Sequence, residues 1–500
     1  MSAIELDSET PAPLPLSTIH QISRKFALPS RTSALQTTKQ ILHFLLPSFL
    51  HSDSGQPTDI EKTPEIVHPT AWLDGMRGIA ALLVYIYHLS YSTHDVDTAW
   101  TYDGKRDFLR LPLIRFFYNG PSMVSIFFVL SGYALSYKPV KQIRKQEVLP
   151  LFEGLASSVF RRWMRLFLPC LASTSVIVVL LRLGMYDATR EIANDQARLP
   201  FHRERHAQSY ETLGQQLWDL TAAFFAFSNP FIANEMPMDP HLWTISVEYG
   251  ASIVLYVTQL GLCRLRTRYR LLSLVCLIFM AHQASRWPMI LFYGGFILAE
   301  LDIRRSALAA SETFDGTINT SHLWSATYLC IFFCGLFLGG QPWKAVDKAP
   351  GWITLYKLIP KHVSDKFRYW GNWGAILLIW ATSNSPLLQC VFTNRVSQYF
   401  GRISFSLYVV HGMLIHTLHY SLMPALWNNV TANDTWLKQE IGFAVSASVV
   451  TVVLIWVSDV FMRLIDTPSV RFARWIENKA KAKVQVVKEE PKWMESSAIV

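Results

Sequence analysis

The chain has 500 residues, 51% of them hydrophobic and 17% charged, with a mean hydropathy of +0.20. Soluble domains carry about a quarter charged residues, so this balance excludes an ordinary water-soluble protein. The net charge of +9 does not call for nucleic acid, because Lys and Arg cluster in short stretches between apolar blocks and at the C-terminus, with no Gly-rich or aromatic-basic motif beside them.

Residues 1–33 are rich in Ser, Thr and Pro, lack a signal sequence and read as a cytosolic tail. ILHFLLPSFL (41–50) is apolar but too short to span and contains Pro47, which suits an interfacial or re-entrant helix. With the polar linker at 51–70 it completes an N-terminal region, 1–70, ahead of a membrane-embedded domain at 71–470 and a charged C-terminal tail at 471–500.

The first span runs from Gly75 to Tyr91, followed by an acidic loop and a span near 111–137. A strongly basic loop from Lys138 to Arg165 leads into a third span at 166–184. Residues 185–239 are polar and mixed, with one amphipathic stretch, LWDLTAAFFAFSNPF (217–231); so long a loop suits a functional cap. The fourth span begins at HLWTISVEYG and ends in RLRTRYR (264–270). Apolar segments follow at 271–283, 287–301, 323–340, 369–388, 397–420 and 441–465. The expected fold is an all-α polytopic membrane protein of about ten transmembrane helices.

Lys and Arg counts put the 138–165 loop, the 264–270 loop and the tail after Arg463 in the cytosol, and with them both termini. The lysine-rich 341–368 loop runs against this assignment. Sequons at Asn429 and Asn433 fall in a loop assigned to the lumen or the outside, whereas the one at Asn319 falls on the cytosolic side. The expected location is the endoplasmic reticulum or another endomembrane. The six cysteines form no paired framework, and no sequence repeat suggests the halves of a transporter.

Polar groups inside apolar helices mark function by default. In DGMRGIAALLVYIYH, Arg77 and His88 stand eleven residues apart, sharing a helix face about 16 Å apart along the axis. Ser131 and Gly132 lie in FFVLSGY, where glycine admits a second backbone or a ligand. RRWMRLFLP carries Arg161, Arg162 and Arg165; the last two are spaced to fork onto one phosphate, although simple positive-inside anchoring also accounts for them. HLWTISVEYG places His241 and Trp243 at a span entrance and Glu248 about two turns inside, where it needs a proton, a substrate or an arginine partner. FGRISFSLYVVHG adds Tyr408 and His411. No cluster has metal-ligand spacing, a nucleophile elbow or a P-loop, so no metal is expected. This kit suits either activation of a hydroxyl toward a phosphate-bearing donor or a proton-coupled transporter.

These five motifs, in this order over about residues 70–470, resemble the acyltransferase type 3 family of multispan membrane acyltransferases. The tail, the LLPSFL segment and the ELDIRR loop look like filamentous-fungal members. The resemblance implies transfer of an acyl group, often acetyl from acetyl-CoA, to a hydroxyl. Arg77 and His88 occupy the family's arginine-ten-residues-histidine signature. His88 would be the base that takes the hydroxyl proton, and Arg77 would orient the cofactor or stabilise developing negative charge. Arg161, Arg162 and Arg165 match the basic triplet that would hold CoA, with Ser131 and Gly132 beside it. Glu248 matches an acidic position that would orient a histidine or bind substrate. His241, Trp243, Tyr408 and His411 are candidate substrate contacts. Direct transfer is the simpler expectation, since no activated Ser or Cys is evident.

No extracellular sugar-handling domain is present, which favours a small, fairly apolar alcohol such as a terpenoid or polyketide of secondary metabolism. The alternatives are a carbohydrate or lipid acceptor and the proton-coupled transporter. The partners implied are the acyl-CoA, the alcohol and the bilayer, with no nucleic acid.

Overall fold

The computed structural model describes residues 43–50, 69–100, 108–312, 322–431 and 435–481. It divides into two units after residue 59. The described part of the first carries a 3-10 turn at Ser48–Leu50, inside the stretch read as an interfacial helix. In the second unit, the regular elements among the described residues are helices, with one isolated bridge between Thr98 and Lys344.

Its principal helices begin with α1 (Ala71–Ser90), α2 (Gly120–Arg144), α3 (Val148–Arg182), α4 (Leu213–Phe227), α5 (Trp243–Leu262) and α6 (Thr267–Gln283). They continue with α7 (Trp287–Glu312), α8 (His322–Gly339), α9 (Tyr369–Asn384), α10 (Pro386–Thr393), α11 (Arg395–Leu414), α12 (Trp436–Phe461) and α13 (Thr467–Ala480). The closest pairings are α2 with α7, α1 with α11, and α8 with α9.

Lipid supplies no hydrophobic drive between helices, so close backbone packing has to supply the attraction. Glycine makes that possible where α2 meets α7. A Cβ on Gly295 would fall 2.2 Å from the Val129 carbonyl oxygen, and one on Gly132 would fall 2.3 Å from that of Phe292. The close approach that Gly132 permits is therefore to another helix.

Among the described residues, four helical segments are long and apolar enough to cross a membrane: Gly120–Arg144, Val148–Arg182, Pro240–Leu262 and Trp436–Ala480. A fifth counts if Lys366–Asn384 and Pro386–Thr393, bent by 101°, form one span. The expected ten spans are not reached: the apolar stretch of α8, Ser325–Gly339, is short, and α7 carries charge. In α7, Glu300 is fully buried, and its carboxylate takes hydrogen bonds from Arg270 at 2.9 and 3.0 Å and from Arg144 at 3.3 Å. Such pairs neutralise one another inside the protein while lowering the hydropathy of the helix that holds them.

Two other expectations change. The basic stretch before residue 166 is not all loop, since α3 starts at Val148 and carries Arg161, Arg162 and Arg165 on its first half. The 185–239 region is more than a polar cap. Its α4, started by a Thr212–Gln215 capping box, runs back along α3 until Phe224 and Phe227 meet Trp163 and Phe167. The Trp163 indole then donates to the Ser228 carbonyl at 3.2 Å.

Gly295→Val should lower the thermal midpoint of the detergent-solubilised protein, since overpacking costs about 1–3 kcal/mol. A midpoint equal to wild type would show that α2 and α7 can part without penalty.

Candidate active site

The end of α1 delivers His88 to a cluster of buried polar side chains. Three other segments complete it. Before α5, Asp239 accepts hydrogen bonds from the backbone N–H of His241 at 3.2 Å and from its Nδ1 at 2.8 Å, with Pro240 starting the turn between them. After α11, the chain widens into a π-helical turn, Ile415–His419, that turns His416 inward. Between α3 and α4, an extended run is tied to the end of α1 by Phe201 N–H donating to the Ser92 carbonyl and His202 N–H to that of Tyr91. That run carries Glu204.

Glu204 is the hub, with its side chain 5% exposed. Its Oε1 accepts from His88 Nδ1 at 3.1 Å and from His241 Nε2 at 2.5 Å, and its Oε2 accepts from His416 Nε2 at 2.7 Å. Burial alone would push this carboxyl up. His241, His416 and His88 outweigh burial and hold it well below the usual carboxylate range.

Hydrogen-bond partners assign the ring protons. His88 gives its Nδ1 proton to Glu204, which leaves Nε2 bare, and no described residue hydrogen-bonds to it. His411 donates Nδ1–H to the Tyr408 carbonyl at 2.6 Å, so its buried Nε2 is also a bare lone pair, without a partner. Both nitrogens of His241 face carboxylates, so its ring carries two protons and a positive charge. Rings of His88 and His241 lie 4.3 Å apart, and His411 lies 4.6 Å from His241. Ligand atoms of these three histidines fall within 4.8 Å of one another, but the two on His241 are already engaged, leaving two lone pairs free.

A cavity of about 420 Å³ opens from the Arg77 end of the bundle. Four arginines line it, Arg77, Arg162, Arg165 and Arg402, against Glu248 and Asp466, with an apolar wall that includes Phe127, Ile245 and Phe405. Its inner limit is Tyr408 with Thr244. Opposite, His88 remains 19% exposed and adjoins Tyr91, His202 and Trp343, whose rings succeed one another at 5.0, 5.2 and 5.3 Å.

Of the residues singled out in the sequence, His88, His241 and His411 meet in the cluster, while Arg77, Arg162, Arg165, Ser131, Glu248 and Tyr408 line the cavity. Glu248 does not orient a histidine. Its Oε1 receives Arg162 Nη2 at 2.6 Å and Ser131 Oγ at 3.0 Å, so the partner is an arginine from another helix. Arg161 points away from the cavity and pairs with Glu477 of α13 at 3.0 Å, a consequence of lying one residue, about 100°, round the helix from Arg162. Gly132 lies against Phe292, and Trp243 against Trp287, with the Arg368 guanidinium 5.4 Å over its ring. Asn429 is exposed at the Trp427–Thr431 turn, and Asn433 lies outside the described residues.

Glu204, Asp239 and His416 escaped the sequence reading. A signal existed for the first: in an extended chain His202, Glu204 and His206 share one face. All three make inward polar contacts, to Asp97, to the histidine cluster and to His416.

The acyltransferase domain family model matches residues 70–460. The O-acetyltransferase PaAT-1 of Phomopsis amygdali is 29% identical over 429 residues, covering 82% of this chain and 85% of that protein. Acyltransferase clz18 of Cochliobolus lunatus is 24% identical, and acyltransferase R4 of a Phoma species 25% identical, each over 80% of this chain and 94% of its own length. No solved structure matches.

Glu204→Gln should turn His88 loose and let its bare nitrogen change. The rate of acyl transfer should fall by about 10²–10⁴-fold with the KM for the acyl donor little altered. Transfer at the wild-type rate in this variant would remove Glu204 from the site's chemistry.

Proposed function

The chain belongs to the acyltransferase type 3 family, and from that premise we propose that it moves an acetyl group from acetyl-CoA to the hydroxyl of a small, fairly apolar alcohol. The observation that carries this reading is the bare Nε2 of His88, held in its tautomer by Glu204 beyond Tyr408, the inner limit of an arginine-lined cavity.

His88 Nε2 takes the hydroxyl proton as the acceptor oxygen attacks the thioester carbonyl. The carbon–oxygen bond forms, the tetrahedral intermediate collapses, the carbon–sulfur bond breaks, and the proton on His88 passes to the departing thiolate. Positive charge on His241, beside His88, favours the negative charge that develops on the carbonyl oxygen. Arg77 lies about 16 Å along α1 from His88, too far to touch that oxygen. Its role is with Arg162, Arg165 and Arg402, as the cationic wall for the CoA phosphates.

The donor enters from the arginine end and the alcohol from the opposite end, past Trp343, His202 and Tyr91. With the arginine end cytosolic, the bundle spans an endomembrane about ten times, and both termini lie in the cytosol. The name of PaAT-1 supports acetyl as the group and oxygen as the acceptor atom. The aromatic approach to His88 supports an apolar acceptor, of the terpenoid or polyketide kind.

Microsomes given isotopically labelled acetyl-CoA and a small-metabolite extract should yield mass-shifted esters. His88→Ala should abolish them while protein level and membrane insertion hold, and survival of the product would sink the assignment. Replacing Arg162 and Arg165 with Gln should raise the KM for acetyl-CoA at least tenfold. An unchanged KM would return both arginines to the anchoring role.

A further inference from the structure

The donor cavity and the catalytic histidines do not share a continuous space. The cavity is lined by Thr244 and Tyr408, and by none of His88, His241 or His411. The Tyr408 hydroxyl donates to the His241 carbonyl and lies 2.6 Å from Thr244 Oγ1, which donates to it in turn. The ring is thus latched to the start of α5 and buried, with Phe127 at 6.4 Å on its cavity side and His411 at 5.7 Å on the other.

Past the ring the packing is tight. His411 is fully buried and the His241 side chain is 1% exposed. At Gly412 an added Cβ would fall 2.5 Å from His241 Nδ1. A thioester whose carbonyl carbon is to meet the hydroxyl held by His88 must push its acyl end past Tyr408 into this packed space. Two carbons fit such a passage far better than four or eight.

We propose that Tyr408, latched by Thr244 and the His241 carbonyl, sets the acyl-chain length by admitting acetyl and excluding longer chains. This rests on the reading of the arginine-lined cavity as the acyl-CoA site. It assigns to Tyr408 a steric role on the donor, in place of the acceptor contact expected from the sequence. The hydroxyl serves as the latch, and the ring does the excluding.

The test needs no acceptor. Purified full-length protein in lipid nanodiscs is titrated calorimetrically with CoA, acetyl-CoA, butyryl-CoA and octanoyl-CoA. Wild type should bind CoA and acetyl-CoA within about threefold of each other, and butyryl- and octanoyl-CoA at least tenfold more weakly. Tyr408→Ala should bring butyryl-CoA to within about threefold of acetyl-CoA, whereas Tyr408→Phe, which keeps the ring but loses both latch hydrogen bonds, should improve butyryl-CoA binding several-fold and still reject octanoyl-CoA. If Tyr408→Ala fails to fold, Thr244→Ala decides, since unlatching the ring should by itself improve butyryl-CoA binding several-fold. Binding that is indifferent to chain length in wild type, or discrimination that survives both Tyr408→Ala and Thr244→Ala, would overturn the proposal while leaving the donor site intact. Failure of every CoA species to bind would overturn the donor site, and this proposal with it.

Discussion

The buried carboxylate of Glu204 is the contact on which the site depends. Moving a lone carboxylate out of water costs several kcal/mol, so it stays ionised there only because histidines surround it. Those histidines come from the end of α1, the turn before α5 and the turn after α11. The extended run that carries Glu204 is fixed from outside as well. His202 contacts Asp97 at 2.5 Å, and although burial pushes the Asp97 carboxyl up, His202, Lys344 and Arg115 hold it below its ordinary value. Tautomer, charge and position of three rings therefore depend on the docking of one loop residue.

That arrangement gives α1 two chemically different ends. Arg77 belongs to the cationic cavity and His88 to the histidine cluster, and the helix between them sets their separation at about 16 Å. A charged donor headgroup and an apolar alcohol have opposite solvation needs, so one common approach would have to desolvate one or wet the other. In the proposed reaction, separate approaches from the two ends avoid this, with Tyr408 and the buried rings standing between.

How much of this was legible in the sequence depended on whether a residue acts within its own helix. Arg77 and His88 were legible because helical period alone puts them on one face. Arg162 and Arg165 were legible for the same reason, and the structure lines the cavity with both while turning Arg161 toward α13. Glu204 was not, because FHRERH lies in a stretch read only as polar and mixed, and its burial arises from three segments distant in the chain. The helical class was plain from composition. The count of spans was not, because several of the ten apolar segments read from sequence are short or charged, and four or five described helices are long and apolar enough to cross a membrane.

The same chemistry also separates structural from functional charge inside this bundle. Arg270 and Glu300 form a pair with side chains 1% and 0% exposed, and neither residue lines the cavity. Arg162 and Glu248 form a still shorter pair, at 2.6 Å against 2.9 Å, yet their side chains are 10% and 18% exposed and both line the arginine-rich cavity. A closed pair has already satisfied its charge and can only hold helices together. The Arg162–Glu248 pair keeps donors turned to open volume, so an incoming phosphate can compete with the carboxylate for the guanidinium. Ser131, which donates to the same carboxylate oxygen, keeps Glu248 satisfied when that exchange occurs. In the proposed donor site, Arg162 is the arginine that lies beside open volume with a carboxylate partner a phosphate would replace.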